Sequence, residues 1–133
     1  MPDFVPMPTT TALYAGVLGL MSIAIGFAVG RLRGGEDGVL IGDGGRHDVL
    51  VGMRRHANFV EWTPMTLLLI ALLEMNKVPT NTIHIMGIAL VAARASHAIG
   101  MQADGSKRIL RMIGAASTTI ILLVASIWAI SIY

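Results

Sequence analysis

Residues 9–29, TTTALYAGVLGLMSIAIGFAV, carry no charged side chain, and neither do residues 112–133, MIGAASTTIILLVASIWAISIY. A helix needs about 20 mostly apolar residues to cross the hydrocarbon core of a bilayer, so each stretch is long enough to span it. The rest of the chain fits a membrane solvent, with 54% hydrophobic and only 14% charged residues among 133, which is too apolar for an ordinary soluble domain of this size.

Two further segments are apolar but interrupted. Phe59 to Leu73 contains Glu61 and extends backwards through Asn58 to Arg54, and Ile83 to Met101 contains His84, Arg94 and His97. The predicted spans are therefore about 9–29, 54–74, 82–101 and 111–133, which makes the chain an all-α bundle of four transmembrane helices. A soluble bundle with two very greasy helices is the alternative that these lengths disfavour. Ionisable residues inside a span are costly and face the bundle interior, so the interruptions are the candidate functional residues.

The leader Met1 to Pro8 has Asp3 and no Lys or Arg, and the apolar run behind it exceeds a secretory h-region, so the first span is expected to be retained. With no cysteine there is no disulfide or thiolate nucleophile, and any thiol chemistry must use a thiol brought by a ligand. The pI of about 9.5 is explained by basic residues flanking spans rather than by a nucleic-acid surface.

Those basic residues divide sharply. Arg31, Arg33, Arg46, Arg54 and Arg55 surround the first loop and Lys107, Arg108 and Arg111 the third, whereas the termini and second loop hold only Lys77. The positive-inside rule makes the first and third loops cytoplasmic. Gly42-Asp43-Gly44-Gly45 reads as a turn, since it lacks a phosphate-loop Lys-Ser/Thr and a preceding strand. Thr80 or Asn81 is expected to cap the third helix, and Pro64 to kink the second and free a backbone carbonyl. Ser22, Gly26 and Gly30 form a small-residue stripe that suits either an oligomer or packing within the subunit.

This topology gathers Arg31, Arg33, Arg54, Arg55, Asn58, Glu61, Arg94, His97, Arg108 and Arg111 into one layer contributed by all four helices. Arg54, Asn58 and Glu61 follow an i, i+4, i+7 pattern on one helix face, and Arg94 and His97 share a face of the next span. Glu61 and Arg94 lack partners on their own helices, so a cross-helix ion pair between them is expected. Arg31, Arg46 and Arg108 suit snorkelling to headgroups, and His97 alone reads as a structural histidine. Arg54, Arg94 and Arg111 outnumber Glu61, and a planar guanidinium fork suits a carboxylate ligand. No spacing of the HExxH kind points to a metal.

The run Arg54-Arg55-His56-Ala57-Asn58-Phe59-Val60-Glu61 with Pro64, followed by Arg94-Ala95-Ser96-His97, resembles the second- and third-helix motifs of the MAPEG family, the membrane-associated proteins of eicosanoid and glutathione metabolism. The resemblance covers nearly the whole chain and implies a homotrimer of four-helix subunits in a bacterial inner membrane. It further implies glutathione bound between subunits near the cytoplasmic face, held by Arg54, Asn58 and Glu61, by Arg94 and His97, and by Arg31 or Arg33. Arg111 would stabilise the thiolate, and a lipophilic electrophile or lipid hydroperoxide would arrive from the bilayer. Where animal members carry an arginine and hydroxyl donors, this chain has Ala57, Met101, Met112 and Ala115, so binding with weak transferase or peroxidase chemistry is expected. The rival readings are a small multidrug-type transporter, which would need an acidic residue in its first span, and a non-catalytic membrane assembly protein.

Overall fold

The computed structural model describes residues 6–35 and 38–133; the Asp3-bearing part of the leader lies outside them. Four helices follow in order, α1 (Thr9–Arg33), α2 (His47–Met75), α3 (Thr80–Gly100) and α4 (Arg108–Ser131), with no strand among the described residues. All four are long and apolar enough to cross a membrane, so the four-span, all-α expectation holds. The second helix starts well before Arg54 and runs unbroken through Pro64.

How each helix is covered follows from its composition. In α1 only 11% of the most apolar stretch is buried against other helices, whereas in α3, which carries Arg94, His97 and His84, the share is 44%. The most apolar helices thus face outwards and the helix with the buried ionisable groups, Arg94 and His97, sits centrally. α1 packs on α2 and α3, α4 packs on α3 and α2, and α1 and α4 do not touch. Leu18, Phe59, Ile70, Leu73, Ile83, Met86, Leu90 and Ala125 form the core between them.

At the end formed by the start of α1, the end of α2 and the start of α3, polar groups close on one another. α1 has no side-chain N-cap of its own. The Glu74 carboxylate of α2 takes that role, accepting from the backbone N–H groups of Thr10 and Thr11 at 2.8 Å each and from the Thr11 hydroxyl at 2.6 Å. A carboxylate there satisfies otherwise orphaned donors and meets the positive end of the helix dipole. One turn deeper, Tyr14 and His84 share a 2.7 Å hydrogen bond. A Cβ on Gly87 would lie 2.2 Å from the Tyr14 ring, so only glycine lets the ring rest on α3.

One local expectation is corrected. The residue before α3 is Pro79, and no side chain caps the helix; Thr80 and Asn81 lie inside it, since the Pro79 carbonyl already accepts from the backbone N–H groups of Thr82 and Ile83. In the small-residue stripe, a Cβ on Gly26 would lie 3.5 Å from the His56 ring, while a Cβ on Gly30 would meet nothing within 4 Å. The stripe is only partly used within the subunit.

Removing Glu74 strands two backbone donors at a membrane helix end, whereas Glu61 is exposed and makes no hydrogen bond among the described residues. Glu74→Ala is therefore expected to lower the unfolding free energy in mixed micelles by about 2 kcal/mol or more, and Glu61→Ala to change it by less than about 0.5 kcal/mol. Equal losses would show that Glu74 does not anchor α1.

Candidate functional site

At the opposite end the polar groups do not close. Among the described residues, every Lys and Arg except Lys77, and every Asp and Glu except Glu74, belongs to this end of the bundle. That leaves nine cations against the four carboxylates of Asp43, Asp48, Glu61 and Asp104. Among the described residues the one ion pair is Arg46 with Asp48 at 2.8 Å.

Arg94 lies at the centre of the layer and is 1% exposed. Its Nη2 donates to Asn58 Oδ1 of α2 at 2.9 Å, its Nη1 lies 3.5 Å from the Thr118 hydroxyl of α4, and its guanidinium sits 5.2 Å from the centroid of the Phe59 ring. Thr118 in turn donates to the Gly114 carbonyl at 2.8 Å. All of these partners are neutral, and Nε has none among the described residues.

The expected Glu61–Arg94 pair does not form. Asn58, one turn before Glu61, faces inwards and supplies the acceptor, while Glu61 and Arg54 lie exposed along the outer flank of the same helix. The i, i+4, i+7 face is real but straddles the border of the subunit, with its middle residue inside and its ends outside.

Close helix approach makes this arrangement rigid. A Cβ on Gly114 would come within 2.4 Å of the His97 backbone nitrogen, and one on Gly100 within 2.1 Å of the Arg111 backbone nitrogen. Two glycines thus let α3 and α4 touch backbone to backbone, and the Ser96 hydroxyl donating to the Leu110 carbonyl at 2.8 Å ties them further. His97 is trapped at this contact, 4% exposed, with no partner for Nδ1 among the described residues.

The remaining arginines have separate roles. Arg33 donates to the Val39 carbonyl at 3.1 Å and to the Leu40 carbonyl, so it is spent on the first loop. Arg55 donates from Nε at 3.1 Å and from Nη2 to the Met101 carbonyl, covering the negative end of α3. Arg31 lines a cleft of about 430 Å³ together with Arg55, Asp48 and Gln102. Beyond Gln102 and Ala103, a second cleft of about 220 Å³ holds Arg108 and Arg111. The layer therefore brings Asn58, Arg94 and His97 together inside the subunit, places Arg31 and Arg111 on adjoining clefts, and leaves Arg54 and Glu61 on its flank.

Chemically, the layer can recognise an anion and orient it. It contains one buried guanidinium with an unused N–H, exposed arginines around it and an unprotonated-nitrogen or N–H position on His97, but no side-chain nucleophile of its own. Thr118 and Phe59 were missed by reading charges alone. Arg111, Gly114 and Thr118 follow i, i+3, i+7, which was the available signal that one face of α4 meets this layer.

Double-mutant cycles separate the two candidate acceptors for Arg94. Arg94→Met combined with Asn58→Leu is expected to show a coupling of about 1.5–3 kcal/mol, because a hydrogen bond to a charged group is shared. Arg94→Met combined with Glu61→Gln is expected to be additive within about 0.5 kcal/mol. The reverse ranking would restore the ion pair.

The MAPEG family model matches residues 11–131. Inner membrane protein YecN of Escherichia coli strain K12 is 39% identical over 90 residues, covering 68% of this chain and 68% of that protein. Inner membrane protein YecN of Escherichia coli O6:H1 strain CFT073 matches to the same extent. No solved structure matches the chain significantly. With four apolar helices and inner-membrane relatives, the chain is an integral inner-membrane protein, and it belongs to the MAPEG family.

Proposed function

We propose that this protein binds glutathione, or a similar acidic thiol, in the arginine layer, and that it does so as a homotrimer in which a neighbouring copy covers the flank of α2. The observation that carries the reading is Arg94, buried among neutral partners with one N–H unused. A buried cation without a counter-ion is costly in a membrane, and a carboxylate ligand would offset that cost with charge-assisted hydrogen bonds.

Glutathione has two carboxylates and one ammonium group. An excess of arginine accompanied by the exposed Glu61 carboxylate suits that set of charges. Arg54 and Glu61 would make contact from the flank, Arg94 and Asn58 from the interior, and Arg31 and Arg111 from the clefts. Arg33, held by its loop, is left out. When bound, the ligand supplies the thiol that this cysteine-free chain lacks.

Arg111 is the residue assigned to the thiolate, because a nearby cation lowers a thiol pKa. It is exposed on the smaller cleft. The next residues on its helix, Met112 and Ala115, offer no hydroxyl. Transfer to a lipophilic electrophile, or reduction of a lipid hydroperoxide, is accordingly proposed to be slow, with the apolar reactant entering from the bilayer.

Calorimetric titration of the purified protein with glutathione tests the reading. Arg54→Ala, on the flank of α2, is expected to weaken binding by about tenfold or more, as loss of a charge-assisted contact implies. Arg111→Ala should keep most of the affinity but return the bound thiol towards the free pKa of about 8.5, read by thiolate absorbance. Lys77→Ala, at the other end, should do neither. Absence of saturable binding, or an affinity indifferent to Arg54→Ala, would overturn the proposal.

A further inference from the structure

Between α1 and α2, about midway along both helices, lies a groove of about 210 Å³. Its walls include Leu18, Gly19 and Ser22 of α1 and Val60, Thr63 and Pro64 of α2, and no ionisable side chain lines it. A Cβ on Gly19 would meet nothing within 4 Å, so that wall is open space.

Thr63 differs from the threonines and serine of the spans that bond back to their own helix. Thr66, Thr118, Thr119 and Ser126 each donate to the carbonyl four residues earlier, at 2.7–3.0 Å, the usual way to satisfy a hydroxyl inside a helix. Thr63 is 5% exposed, yet its Oγ1 has no partner among the described residues. Beside it, Pro64 has no N–H, so the Val60 carbonyl lacks its normal helix donor. In a bilayer there is no water to serve either group, and each has to be satisfied by protein or ligand.

We infer that this groove is a binding site for a neutral lipophile carrying a hydroxyl group, such as a long-chain alcohol. A hydroxyl both accepts, from Thr63, and donates, to the Val60 carbonyl; a ketone could only accept and an alkane could do neither. The absence of an ionisable wall disfavours a charged headgroup. The volume falls below the range of about 300–1,000 Å³ for sites that enclose a whole drug-sized ligand. The groove therefore takes the head and the first part of a chain whose remainder lies in the bilayer. The inference rests on the middle turns of α1 and α2 and does not depend on thiol binding in the arginine layer.

The test uses wild-type protein in phosphatidylcholine nanodiscs with three photoreactive probes of equal chain length: an alcohol, a ketone and an alkane. Cross-links are mapped by mass spectrometry. The alcohol is expected to label the segments 15–22 and 59–67 about fivefold more than the alkane, the margin that one net hydrogen bond supplies, with the ketone between them. Thr63→Val, nearly isosteric, should abolish the preference while leaving the fold and thermal stability intact. Gly19→Leu should fill the open wall and suppress labelling by all three probes. Equal labelling by alcohol and alkane, a preference that survives Thr63→Val, or no labelling of these segments, as a second copy seated on the groove would give, each overturns the inference.

Discussion

A guanidinium held inside a membrane bundle by neutral groups is the constraint around which this structure is arranged. Asn58, Thr118 and the Phe59 ring come from two helices and surround Arg94 of a third. None of them carries the charge that would cancel it. Burying an ion without a counter-charge costs several kcal/mol even after relaxation, so the fold has to hold these dipoles closely in place. The close approach of α3 and α4 at Gly100 and Gly114 does this. A larger residue at either glycine would separate the helices and withdraw Thr118 from Arg94.

The two ends of the bundle solve the problem of polar groups in lipid differently. At one end Glu74 is satisfied by the first turn of α1, and Tyr14 and His84 satisfy each other across Gly87. That end is closed and works as an anchor. At the other end the cations exceed the carboxylates, two clefts open side by side, and Arg54 and Glu61 lie on the outside of the subunit. Polar groups left open in this way are where a ligand or a neighbouring chain gains most from binding.

The helices were legible in the sequence because the bilayer imposes a length and forbids charge, and residues 9–29 and 112–133 meet both demands without exception. The layer was legible as a set of residues, since alternating topology brings the arginine-rich helix ends together. Its internal pairing was not. Charge alone points Arg94 to Glu61, but a neutral amide one turn away, Asn58, lies on the inward face and wins by geometry. The role of Arg33 depends on loop carbonyls that no periodicity reveals, and the cap from Glu74 joins residues more than sixty positions apart. The unpartnered Thr63 hydroxyl is equally invisible in a sequence that contains several threonines, because only the packed structure distinguishes it from Thr66.

If the arginine layer recognises a ligand through its negative charge, the carboxylates must carry the recognition and the rest of the molecule must matter less. Comparing the thermal stabilisation of the protein by glutathione and by its diethyl ester, which keeps the thiol, the ammonium group and the peptide backbone, isolates that feature. Ligand binding to the native state raises stability according to concentration over dissociation constant. Glutathione should raise the transition temperature in a concentration-dependent manner, and the diester should produce little or no shift at the same concentrations. Equal stabilisation by acid and diester would mean that the buried, uncompensated Arg94 and the arginines around it are not an anion site.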